Sequence, residues 1–314
     1  MQEKNTEYSV EGYNKNTALL VATVADAVFR NDYGKSGFAR AGVEYDGYFA
    51  GNEGLVDLQF AYGHRGNING NMDIFISIRG SKENIDWITD LHYLAAKYNE
   101  NIDSKITVHA GFINSANFLE KQEGKAKISS FTLFDLINQN ISGTRNDKFF
   151  ITGHSLGGAV ATLYTTKLFD RGLSREKMVT FTYGAPPVSM DEGMTKERMN
   201  SLALAGKAEA IKDIAKTTLL GNESKAVNYY IERYFDKVQI FRIYDSNDMV
   251  PKLIPPARHL GTPVMYQSKI SAKELLDKNK HLQLHLMNNY FNLIQNTQPL
   301  DPATKTGGLI DLVF

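Results

Sequence analysis

The chain has 314 residues, 42% of them hydrophobic and 22% charged, which is enough apolar material for one large α/β domain or two small ones. Its 35 basic and 35 acidic residues balance to zero formal charge, arguing against electrostatic capture of nucleic acid or anionic membrane. Cysteine is absent, which excludes disulfides, thiolate catalysis and thiolate zinc sites.

The opening MQEKNTEYSVEGYNKN holds no basic region followed by an apolar run, so no secretory leader is visible. Secreted and cytoplasmic locations both stay open. Leu19, Leu20, Val24 and Val28 are spaced to predict a helix over Thr17 to Arg30. The longest apolar stretch, Ala18 to Val28, lies inside it; broken by Asp26, it is too short to span a bilayer. Val43 to His64, rich in aromatic residues and glycine, reads as meandering strands. Asp73 to Arg79 (DIFISIR) alternates apolar and polar residues and predicts a strand ending at Gly80-Ser81. A helix is expected over Gly111 to Leu119, resuming from about Lys125 to Ile137. Next come a strand at Phe149 to Thr152, a helix at Leu156 to Phe169, and strands at Met178 to Tyr183 and Val238 to Tyr244.

One segment breaks this rhythm. Residues 190–236 are helix-forming and charge-rich, with Met194, Met199, Leu202, Ile211, Ile214 and Leu219 at near-helical spacing. They read as inserted helices, either a layer on the sheet or a cap over a site. The alternation elsewhere predicts an α/β protein, a mostly parallel sheet with helices on both faces, in a single domain covering 1–314. Sites in such sheets form beyond the carboxyl ends of the strands, where Ser81, Ser155, Gly184 and Asp248 fall.

Phe149 to Ala161, FFITGHSLGGAVA, carries the strongest chemical signal. An apolar strand runs into Gly153-His154-Ser155-Leu156-Gly157 and then a helix, the strand–turn–helix setting of a nucleophile elbow. Such a turn strains the serine backbone and demands glycines on either side. It exposes the Ser155 hydroxyl and aims the first helical amides, Leu156 N–H foremost, at whatever binds there. His154 is too close in sequence to serve as base for Ser155 and is expected to pack and hydrogen-bond.

A serine needs a base to take its proton and an acid to orient that base. Three histidines follow Ser155, namely His259, His281 and His285, and all three stay open on the residues alone. For the acid, Asp245 and Asp248 lie in one strand-end loop. Pro251, Pro255 and Pro256 would hold Asp248 rigidly, whereas Asp245 reads as a capping or turn residue. A metal site at HLQLH is disfavoured because Leu282 stands where the zincin pattern needs glutamate. No metal or cofactor is expected. The second oxyanion donor should follow an earlier strand, and Ser81 is well placed; it can also cap a helix.

Several separated motifs make the chain resemble the class 3 lipases, a group of fungal triacylglycerol lipases and feruloyl esterases with bacterial relatives. They are IRGS (Ile78 to Ser81), DWITDL (Asp86 to Leu91), VHAGF (Val108 to Phe112), GHSLGGA (Gly153 to Ala159), TYGAPPV (Thr182 to Val188) and DMVPKLIPP (Asp248 to Pro256). HLGT (His259 to Thr262) and HLMNNY (His285 to Tyr290) complete the series, which runs from about Thr17 to Tyr290. The resemblance implies an α/β-hydrolase fold and a triad of Ser155, Asp248 and His285. It implies an oxyanion hole of Ser81 and Leu156, and it sets His259 in a structural turn. Ile85, Trp87 and Ile88 occupy the position of a lid, which in the bacterial DW-x-TDL variety can instead be a fixed loop. Arg79 is expected to make a structural ion pair, while His109 and Phe112 pack around that loop.

The implied activity is carboxylic-ester hydrolysis by a lipase, esterase or phospholipase A1. The substrate would be an acyl ester or lipid, met in solution or at a lipid–water interface. The rival reading is a lipase-like binding protein with little or no turnover.

Overall fold

The structure, a computed structural model, describes residues 9–28, 32, 34–53, 56–67, 70–79, 95–99, 103–189, 225–252, 258–271, 274 and 278–301. Ser81, the Ile85–Trp87–Ile88 lid, most of the 190–236 insertion and the side chain of His281 lie outside the described residues.

A seven-stranded sheet runs in the order β1 (Glu44–Glu53), β2 (Val56–Gly66), β3 (Met72–Ile78), β8 (Lys148–His154), β9 (Met178–Tyr183), β10 (Ile240–Asp245) and β11 (Thr262–Tyr266). The β1–β2–β3 meander is antiparallel, and every pair from β3 to β11 is parallel. Two small antiparallel pairs stand apart: β4 (Ala95–Asn99) with β5 (Asp103–His109), and β6 (Lys127–Ile128) with β7 (Phe131–Thr132).

Side chains alternate across a strand, so the central strands serve two cores at once. Ile74, Ile76, Ile78, Phe149 and Ile151 face one side with helices α3 (Ala110–Gln122), α4 (Leu133–Ile141), α5 (Leu156–Asp170) and α6 (Lys225–Tyr234). Phe75 and Phe150 face the other, their rings stacked 4.8 Å apart. That side is covered by α1 (Lys15–Ala27), α2 (Lys35–Arg40) and α8 (Met287–Asn296). A further helix, α7 (Lys278–His285), leads directly into α8.

Most sequence expectations match within a few residues. The first helix opens at Lys15 because the Asn14 side chain accepts from Thr17 N–H at 2.9 Å, and it ends at Ala27 rather than Arg30. The helix expected from Lys125 is a correction. Lys127 to Thr132 forms the β6–β7 hairpin instead, turning at Ser129 with φ 54°, and α4 begins only at Leu133. A reciprocal pair sets that start: Asp135 N–H donates to Thr132 Oγ1 and Thr132 N–H to the Asp135 carboxylate. The β4–β5 hairpin and β11 carried no sequence expectation.

Helix α5 is buried on almost every side, with Gly157 through Thr166 all covered. Its first turn is pressed against the end of β8. A Cβ built on Gly153 would lie 2.3 Å from the carbonyl carbon and oxygen of Gly157, and backbone cannot swing away as a side chain can. Gly153→Ala is therefore expected to cost about 3 kcal/mol, the upper end for overpacking. Urea midpoints measure it, and an unchanged midpoint would contradict this account of the turn.

Candidate active site

Ser155 follows the last residue of β8, with φ 56° and ψ −130°, a region that side chains rarely enter. Two contacts hold it there. Its N–H donates to Tyr183 O on the neighbouring strand at 2.9 Å, and its carbonyl accepts Gly158 N–H at 2.9 Å as α5 begins. No side chain caps α5, so the Leu156 amide in its first turn keeps the open donor character of a helix start. The sharp turn expected from GHSLGG is present.

Parallel strands end at one edge, and that edge gathers the next residues. Asp248 lies three residues beyond β10, fully buried, its amide donating to Asp245 O at 3.0 Å. Its Oδ1 accepts Val250 N–H at 2.9 Å, and its Oδ2 accepts two side chains: His285 Nδ1 at 2.7 Å and the Tyr290 hydroxyl at 2.5 Å. Burial works to raise the Asp248 pKa. The neighbouring His285, the hydrogen bonds from His285 and Tyr290, and the Val250 amide outweigh it and hold the carboxyl below its ordinary range.

Because the carboxylate only accepts, His285 Nδ1 carries a proton. In the neutral ring Nε2 is then the acceptor, and this buried nitrogen has no hydrogen-bond partner among the described residues. His285 ends α7, 5% exposed, and its own carbonyl accepts His154 Nε2–H at 2.5 Å. The two imidazoles lie 4.7 Å apart. Burial first, and then the proximity of His285, push the His154 pKa down to about 3, so His154 stays neutral and serves as a tether. That agrees with its expected packing and hydrogen-bonding role.

Of the three candidate bases, the other with a described side chain is engaged elsewhere. His259 Nε2 donates to Pro251 O at 2.6 Å, and burial, then the Arg242 charge, drive its pKa well below normal. Asp245 is likewise a structural tie: its carboxylate accepts Asn247 N–H at 3.0 Å and Ser268 N–H at 3.1 Å. His109 stacks on Phe112 with centroids 4.1 Å apart. Arg79 bonds the Gln59 side chain.

Tyr290 and Gly184 had no assigned role in the sequence reading. Gly184 has φ 58°, and a Cβ there would sit 2.7 Å from the Tyr290 hydroxyl and 3.0 Å from Asp248 Oδ2. A side chain at 184 would thus be strained and would also enter the acid–base pair. Tyr290, five residues after His285, only closed the HLMNNY motif. Tyr290→Phe deletes a hydrogen bond to a charged acceptor, about 1.5–3 kcal/mol in a buried setting. A fall in kcat of about tenfold at unchanged KM is expected on an ester substrate; an unchanged kcat would remove Tyr290 from the machinery.

Among the described residues no cluster of three or more His, Asp or Glu side chains is arranged to hold a metal ion. No helix among them is long and apolar enough to cross a membrane.

Residues 75–258 match the class 3 lipase family, and this stretch holds the elbow and Asp248. The lipase of Rhizomucor miehei is 32% identical over 117 residues, 37% of this chain and 29% of that protein. Secreted mono- and diacylglycerol lipase 1 of Fusarium solani is 30% identical over 123 residues, 39% of this chain and 32% of that protein. The chain thus spans about a third of the length of these relatives. In three dimensions the lipase of Rhizopus microsporus var. chinensis superposes with a TM-score of 0.55 at 19% identity, covering 84% of this chain and 77% of its own. That likeness gives the α/β-hydrolase fold. With a strained serine on the elbow between β8 and α5, and with more than half of its length matched, the chain belongs to the class 3 lipase family.

Proposed function

We propose that the chain is a serine carboxylic-ester hydrolase acting on acylglycerol-like esters through an acyl-enzyme on Ser155. The observation that carries this reading is the state of His285: Nδ1 is committed to a buried Asp248, while Nε2 is buried and has no partner among the described residues. An imidazole held so is a proton acceptor without a proton donor, and Ser155, next in the chain to His154, whose ring lies 4.7 Å from that of His285, is the proposed donor.

In the proposed reaction His285 Nε2 takes the Ser155 proton as Oγ attacks the ester carbonyl. Asp248 stabilises the imidazolium that forms without itself being protonated. The Leu156 amide, and Ser81 as second donor, hold the oxyanion. His285 then gives its proton to the leaving alkoxide, and water repeats the sequence to release the acid.

Exposed apolar side chains next in the chain to the acid and the base suit an apolar substrate. Met249 and Leu286, the residues directly after Asp248 and His285, are large, hydrophobic and 37% and 46% exposed. The mono- and diacylglycerol lipase among its relatives supports the same substrate class. Activity at a lipid–water interface, with residues 85–88 as the lid and 190–236 as a cap, belongs to the proposal. The test is hydrolysis of p-nitrophenyl esters of graded acyl length and of an emulsified triacylglycerol, with Ser155→Ala beside wild type. Equal rates for the two proteins would sink the proposal and favour a binding role.

A further inference from the structure

Asp245 and Asn289 lie one step behind the acid–base pair, and no reading of the site above gives them chemistry. Asp245 is fully buried, so its carboxylate must be satisfied by protein donors. Oδ1 takes the main-chain N–H groups of Asn247 and Ser268, at 3.0 and 3.1 Å. Oδ2 takes the Ser268 hydroxyl and, at 2.9 Å, the Asn289 side-chain amide. That amide has two hydrogens, and the second goes to Leu284 O at 2.7 Å. Leu284 immediately precedes His285, in the last turn of α7, where carbonyls have no helical partner. Asn289 sits in the first turn of α8, whose start carries no side-chain cap.

One amide therefore joins two segments far apart in sequence. On one side is the Asp245–Asp248 turn, closed by Asp248 N–H on Asp245 O, which carries the acid. On the other is the α7–α8 junction, which carries the base. The direct His285–Asp248 bond fixes the two side chains; the Asp245–Asn289 link fixes the two stretches of backbone behind them. We infer that Asp245 and Asn289 form a clamp that sets the distance between the acid and the base, with Asn289 a positioning residue for His285. This rests on the proposed hydrolase reading for its kinetic consequence, though not for its geometry.

Asn289→Ala and Asn289→Asp, compared with wild type on a p-nitrophenyl ester, test the clamp. Displacing a catalytic group by about 1 Å can cost 100-fold, so kcat should fall about 10- to 100-fold with KM within twofold. Asp has nearly the volume of Asn but offers no donor and faces Asp245. The clamp therefore ranks Asn289→Asp at least as damaging as Asn289→Ala, whereas a packing role ranks it milder. A second readout needs no turnover: the downfield NMR signal of the His285 Nδ1 proton on Asp248 should broaden or vanish in Asn289→Ala. A folded Asn289→Ala protein with wild-type kcat and an unchanged proton signal overturns the clamp. If wild type hydrolyses no ester, the hydrolase reading fails while the proton signal still decides the clamp, loss supporting it and persistence refuting it.

Discussion

Ser155→Ala is expected to lower kcat on a p-nitrophenyl ester by about five orders of magnitude while leaving the fold intact. Serine hydrolases stripped of their nucleophile lose on that order and keep a residual rate from the oxyanion donors and substrate binding. The size of the loss tests the role of the hydroxyl, and the stability of the variants tests the turn. Ser155 and alanine share the cost of φ 56° and ψ −130°, about 1–3 kcal/mol for a residue with a Cβ. Ser155→Ala should therefore unfold near the wild-type midpoint. Ser155→Gly, equally inactive, should unfold later, because glycine enters that region freely. The protein would then store strain at its proposed nucleophile. A Ser155→Gly protein no more stable than Ser155→Ala would mean that the turn is not strained at this point. Retention of more than a percent of wild-type activity in either variant would take the chemistry away from Ser155.

The strand ends and the elbow were legible because they rest on local rules. DIFISIR and FFIT alternate or run apolar as central strands must, and GHSLGG needs glycine where β8 meets α5, because a Cβ on Gly153 would lie 2.3 Å from the Gly157 backbone. Asp248 was legible through the prolines that follow it. The base was not fixed by local rules. His285 is 37 residues from Asp248 and its carbonyl is held by His154 131 residues away, distances over which no periodicity operates. The residues alone left three histidines, and the resemblance to class 3 lipases pointed to His285. Tyr290 and Asn289 escaped for the same reason: only the packing of α8 against β10 turns them toward carboxylates. The β6–β7 hairpin was missed for the opposite reason. Its signal was local and present, a serine pair followed by Thr132 and Asp135 in capping positions, but the apolar spacing around it mimicked a continuing helix.

Asp248→Asn should reduce kcat by about 10,000-fold, less than the loss of Ser155, with little change in KM. The reason lies in proton direction. Asp248 Oδ2 only accepts, which obliges His285 Nδ1 to carry the proton and leaves Nε2 free to receive one. An asparagine amide in the same place, with Val250 N–H still claiming the Oδ1 acceptor, has its NH2 at the Oδ2 position, facing Nδ1. The neutral ring then holds its proton on Nε2 and has nothing to offer the serine. Stability should respond with a definite sign. The folded-state pKa of Asp248 lies below that of the unfolded chain, about 3.9, so the stabilisation it brings is complete above that value. It is lost as pH falls through the folded-state pKa. Wild type and Asp248→Asn, compared by urea denaturation from pH 7 down to pH 3, should therefore converge in acid and separate near neutrality. A gap that widens on acidification would reverse the inferred sign and mean that Asp248 is held protonated in the fold. The triad geometry would then describe a hydrogen-bonded core, and catalysis would have to be sought elsewhere.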